Sequence, residues 1–126
     1  MREIEFRGQN INGHWAHGNL AIIKEKLDRA EIGAYISNSA GAPFAYQVRP
    51  ETVGQYTGLK DKNGNKIFEG DLCWDEHNEC YGVVKFEEGK FLYVWENIAE
   101  DLWEVADGIE FYGNIHENPD LLEVAE

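Results

Sequence analysis

The residues able to do chemistry fall in four places along a chain of 126 residues. His14 and His17 flank Trp15 and Ala16. On an extended strand, positions three apart point to opposite faces, so the two imidazoles do not chelate one metal and are expected on a surface or an interface. Cys73, Asp75, His77, Glu79 and Cys80 crowd one short segment. Zinc takes cysteine and histidine, but three soft ligands at this spacing match no common zinc site, so a hydrated hairpin loop with two strand thiols is expected. Asp61-Lys62-Asn63-Gly64-Asn65 has the look of a calcium loop. That loop needs glycine sixth and glutamate twelfth. Here glycine falls fourth and Leu72 twelfth, and the calcium reading fails. Gly89-Lys90-Phe91 lacks the hydroxyl that follows lysine in a phosphate loop and leads into a strand pattern. No dinucleotide fingerprint occurs. Carboxylates are plentiful, yet nothing in their spacing singles out an acid–base pair. The sequence therefore assigns no catalytic, cofactor-binding or metal-ligating residue, and a non-enzymatic protein is expected.

The elements that would position such residues read as β-strands. Helical periodicity is scarce, and apolar alternation punctuated by glycine is common. Strands are expected at 2–7, at Trp15–Ile23 with a bend at Gly18, at Ala34–Ile36 and at Phe44–Val48. Residues 24–33 fit either a helical turn or a polar loop. In residues 49–59, Pro50, Gly54 and Gly58 argue against regular structure throughout, while Val53, Tyr56 and Leu59 argue for an ordered, packed connector. Asn63-Gly64 predicts a two-residue type I′ turn, since both residues tolerate positive φ. Strands then follow around Leu72–Trp74, Tyr81–Phe86 and Phe91–Trp95, with Glu87–Lys90 as a hairpin turn. Ile98, Leu102 and Val105 share a helix face, which predicts about two turns of helix stopped by Gly108. A strand follows at Ile109–Ile115. Asn118-Pro119-Asp120 has the cap, first-turn proline and early acid of a short terminal helix. Five short strands between Leu59 and Ile115 favour a small antiparallel barrel or a strongly bent sheet. The expected organisation is a β extension with its connector over 1–58 and the barrel with its helix over 59–126, packed as one compact unit.

Charge separates the two halves. Lys and Arg total 11 and Asp and Glu 24, a formal net charge of −13. Residues 1–63 are almost neutral at +1, and residues 64–126 hold −14. Nucleic-acid binding across the second half is disfavoured, because phosphates are neutralised by clustered Lys and Arg. Trp74, Phe86, Tyr93 and Trp95 could stack on bases, but the positive groove such binding needs is missing there, so core packing is expected of most of them. A basic patch elsewhere would need Arg2, Arg7, Lys24, Lys26 and Arg29 together. No apolar run approaches the roughly 20 residues of a membrane span. The N-terminus lacks a signal-peptide pattern, which points to the cytoplasm and to Cys73 and Cys80 as thiols, although a cross-hairpin disulfide is geometrically open.

The run from Val48 through Asp71, Val-Arg-Pro-Glu-Thr-Val-Gly-Gln-Tyr-Thr-Gly-Leu-Lys-Asp-Lys-Asn-Gly-Asn-Lys-Ile-Phe-Glu-Gly-Asp, resembles the signature of the YopX family. Arg2–Gly8, Gly13-His14-Trp15 and Gly18 match its start, and Gly113–Leu122 its end. The resemblance implies a phage or prophage protein of mainly β fold, with an SH3-like barrel in its C-terminal portion and no established biochemical function or catalytic residues. Cys73 stands where the family favours an aliphatic residue, and His116 where it favours tyrosine. The combined expectation is a module acting through protein contacts, most simply with copies of itself. An acidic decoy of a nucleic-acid-binding protein and a metal-dependent hydrolase or nuclease are the rival readings.

Overall fold

A computed structural model describes residues 4–26, 31–37 and 45–121. The chain divides into two units, Met1–Tyr56 and Thr57–Glu126. Both are built from antiparallel strands, so the mainly β expectation holds.

In the first unit, β1 (Phe6–Gln9) pairs with β2 (Trp15–Ile23), β2 with β3 (Gly33–Ser37) and β3 with β4 (Ala45–Val48). The opening residues of β5 (Gly54–Lys60) add to the other side of β1. Strand alternation sorts the side chains. Ala34, Ile36 and Val48 form the buried core, with Phe6, Ala16, Leu20 and Val53 packed against it. Arg7, Gln9, Trp15 and His17 carry the opposite parity, paired as Gln9 with Trp15 and Arg7 with His17. The sheet curls far enough to bring β4 onto β1. A Cβ on Gly8 would lie 2.7 Å from Val48 Cγ2, so only glycine fits. The Arg49 N–H donates to the Gln9 carbonyl at 2.8 Å, and the Gln9 N–H donates to Thr52 Oγ1 at 2.8 Å. Thr52 sits in a 3-10 turn at Pro50–Thr52, and β5 then runs through both Gly54 and Gly58. Residues 49–59 are thus more regular than Pro50, Gly54 and Gly58 suggested. Gly58 keeps a positive φ of 87° inside the strand, a conformation open to glycine.

In the second unit, β6 (Lys66–Phe68) lies beside β5. A five-stranded sheet contains β7 (Asp71–Asp75), β8 (Cys80–Glu87), β9 (Lys90–Trp95), β10 (Ile98–Asp101) and β11 (Ile109–Asn114) in the order β10-β9-β8-β7-β11. That order is open, not the closed ring of the expected SH3-like barrel. The edge strands β10 and β11 are joined by a helical turn, α1 (Leu102–Val105), and a 3-10 turn at Ala106–Gly108. These turns drop Leu102 and Ala106 into the core with Ile67, Cys73, Val84, Tyr93 and Ile109. The helix expected from Ile98 onward is half strand for the same reason. Ile98–Asp101 gains a full ladder with β9, worth more than one helical turn in isolation.

Two turns reverse the sequence expectation. Glu88 and Gly89 both have positive φ, 53° and 82°, and connect Glu87 to its partner Lys90. This is the type I′ hairpin. At Asn63-Gly64 only Gly64 is positive, at 84°. The loop there is wider, closed by the Asp61 N–H donating to the Asn65 carbonyl at 2.8 Å. Asn118 precedes a helical start at Pro119, as its residue types indicate, and the rest of that helix lies outside the described residues. The helix-or-loop ambiguity at 24–33 falls partly outside them too.

Candidate functional site

In the first unit, a cleft of about 370 Å³ is lined by Asn10, His14, Trp15, Ala16, His17 and Tyr46. The turn joining β1 to β2 sets its rim. Asn10 Oδ1 accepts the N–H groups of Asn12 and His14, each at 2.9 Å, and holds His14 beside the start of β2. The Arg7 guanidinium lies 4.9 Å from the centroid of the Trp15 ring, a cation–π contact that covers one side of the indole. Tyr46, on β4, is half exposed. His14 and His17 thus contribute to one cleft despite strand parity, because His14 belongs to the turn and not to the ladder. With no acid lining the cleft, they have no carboxylate to complete a metal site.

The second unit resolves the other sequence candidates. Asp61 is almost fully buried. Its carboxylate accepts the N–H of Asn63 at 2.9 Å, of Asn65 at 2.8 Å and of Phe111 at 2.7 Å, and the Asn65 side-chain NH₂ at 3.3 Å. Burial alone would raise its pKa. These hydrogen bonds to the charged form outweigh it and hold the carboxyl below the usual carboxylate range. The segment that imitates a calcium loop is therefore a turn folded around its own aspartate and clipped to β11.

Asp75 does similar work, accepting the N–H of His77 at 2.9 Å and the Asn78 side-chain NH₂ at 2.7 Å. A shallow acidic hollow of about 210 Å³ includes Asp75, His77, Glu100, Glu104 and Asp107. Among the described residues, no group of three His, Cys, Asp or Glu side chains is arranged to hold a metal. Cys73 pairs in register with Gly82, and Cys80 with Asp75, so the cysteines are not opposite each other and both are thiols. Burial, then the charges of Asp75, Glu96 and Glu100, push the Cys80 thiol pKa up.

Of the candidate stacking aromatics, Tyr93 is fully buried, with its O–H donating to the Cys73 carbonyl at 2.9 Å. Trp95 packs on the same core and donates its indole N–H to Glu100 at 3.0 Å. Trp74 meets Tyr81 edge-on, and Tyr81 meets Tyr112. Phe86 is half exposed against Phe91. The proposed basic patch does not assemble as a set: Arg7 is buried beneath Trp15, Lys26 lies 3.9 Å from Glu31, and Arg2 and Arg29 fall outside the described residues. Sequence reasoning missed Asn10 and Tyr46 as cleft residues. The Asn10–Gly13 turn was a usable signal for the first, but nothing local marks Tyr46.

The fold and its cleft define a two-unit antiparallel β protein whose polar clusters mostly serve its own turns. Comparison with known proteins identifies its kin. The profile described as YopX protein matches residues 5–123, and the chain belongs to the YopX family. Its structure is similar to the crystal structure of protein EF1440 from Enterococcus faecalis, with a TM-score of 0.60 and 24% identity over 97% of this chain and 99% of that one. No curated protein matches it.

Proposed function

We propose that the chain is a non-enzymatic protein-interaction module of phage type that associates with copies of itself through its first unit, in the cytoplasm of a bacterial host. The observation that carries this reading is an uncharged unit with an apolar surface. Residues 1–56 hold six basic and six acidic side chains, whereas residues 57–126 hold five and 18. On the neutral unit Ile4, Ile11, Ile22 and Ile32 are exposed at 67, 89, 55 and 59%. Single exposed apolar residues are ordinary. Four isoleucines on one small uncharged unit are a candidate contact surface. Ile32 lies two residues before Ala34, the register partner of Ile22, which makes these two neighbours on one face. Like charge would oppose pairing through the second unit. The strands of the second unit are those an SH3-like barrel would use, and we read that unit as a scaffold of this kind.

Light scattering on the purified protein tests the reading directly. A mass above that of one chain supports it, and a strict monomer at high micromolar concentration removes it.

The acidic decoy remains the second reading, supported by the 18 acids of residues 57–126. It requires capture of a nucleic-acid-binding protein that weakens steeply with salt.

A further inference from the structure

We propose that the Asn10–Tyr46 cleft of the first unit is a docking site for a proline-containing extended peptide segment of a partner protein. The inference rests on the interaction-module reading above and names the chemistry of a partner for it.

The lining selects the ligand by elimination and by fit. The cleft, at about 370 Å³, is within the usual range for bound ligands. Its six lining residues include no carboxylate and no lysine or arginine. An isolated cation finds no counter-charge there. A phosphate finds no fixed positive charge at the rim, and it approaches a chain of net charge −13. A neutral ligand is left.

Trp15 and Tyr46 offer flat apolar surface, and Arg7 on one side of the indole keeps that ring in place at 4.9 Å. The polar groups around them lean towards donation. Asn10 Oδ1 already accepts two backbone N–H groups, so what its amide can offer is the NH₂. Tyr46 brings a hydroxyl, and His14 an imidazole with a ring N–H. The complementary ligand is apolar, ring-shaped and rich in acceptors. A polyproline II segment has this chemistry. Its pyrrolidine rings pack on aromatic faces, and its carbonyls make no internal hydrogen bonds. Lysine or arginine flanking the prolines would be drawn by the overall negative charge.

The test is calorimetric titration of the full chain with an oligoproline peptide capped by one lysine at each end. An alanine-for-proline peptide and adenosine monophosphate serve as alternative ligands. The expected result is saturable binding of the proline peptide alone, weakened about tenfold in Tyr46→Ala, because truncating an aromatic anchor removes much of such an interaction. Tyr46 is half exposed, so this variant keeps its fold, verified by circular dichroism. Trp15→Phe, which retains a ring, should weaken binding less. No binding by the wild type, equal binding of the alanine peptide, unchanged affinity in folded Tyr46→Ala, or binding of the nucleotide instead each overturns the proposal. Light scattering of Tyr46→Ala separates the two readings, since self-association through the isoleucines does not require this side chain.

Discussion

Asp61→Ala is the most informative single change in the second unit. It removes the acceptor for three backbone N–H groups, those of Asn63, Asn65 and Phe111. Hydrogen bonds to a charged acceptor contribute about 1.5–3 kcal/mol each, but they are not additive. Asn63 and Asn65 are exposed, and their N–H groups can turn to water. The contact to Phe111 spans 50 residues and cannot be replaced locally. The expected loss is about 3 kcal/mol in all, a large part of the ~5–15 kcal/mol that stabilises a small domain. Asp61→Asn keeps the shape and one acceptor oxygen, with an expected loss of about 1–2 kcal/mol. The assay is urea unfolding by tryptophan fluorescence in a Trp15→Phe background, so that Trp74, Trp95 and Trp103 report the second unit.

The reasoning also fixes a pH dependence. Folding lowers the Asp61 pKa. Its stabilisation is therefore complete above the unfolded carboxylate value of about 3.9 and fades as pH falls through the lower folded value. The gap between wild type and Asp61→Ala should narrow in that acid range. A loss below about 0.5 kcal/mol at neutral pH would show that the carboxylate does not organise this turn.

Three further outcomes follow from close contacts and burial. Gly82→Ala places a Cβ 2.3 Å from Tyr93 Cζ, in a ring that is fully buried, so an overpacking loss of about 1–3 kcal/mol is expected in chemical denaturation; a gain in stability would contradict it. Gly113→Ala puts a Cβ 2.1 Å from Asn118 Oδ1, which accepts the Asn114 N–H, and hydrogen exchange at Asn114 should accelerate; unchanged exchange would refute that contact. A thiol reagent at neutral pH should label Cys80 slowly, since its pKa is raised, and Cys73 only on unfolding; fast labelling of both would contradict the burial of Cys73.

Much of the fold was legible because its signals are local. Alternation from Trp15 to Ile23 matched β2 to the residue, and Glu87–Lys90 formed its hairpin. The errors arose where distant residues decide. Asn63-Gly64 carries the best type I′ chemistry, yet the Asp61 carboxylate gathers that loop into a wider turn, and the I′ geometry falls to Glu88-Gly89. The apolar spacing of Ile98, Leu102 and Val105 fits a helix, but β9 claims the first half of that segment. Two cysteines seven positions apart suggested facing thiols, whereas the hairpin register offsets them by two residues on each strand. The cleft was least legible. Its turn and tryptophan lie together in sequence, while Tyr46 arrives only through the curl that seats Val48 on Gly8.

The central claim is that the uncharged first unit brings copies of the chain together. Light scattering of the wild type beside the double variant Ile11→Glu/Ile22→Glu tests it most directly. Both sites are exposed, so the variant should fold while adding charge to the proposed contact. The account predicts an oligomeric wild type and a monomeric variant of the same circular dichroism. A monomeric wild type, or a variant of undiminished mass, would contradict it.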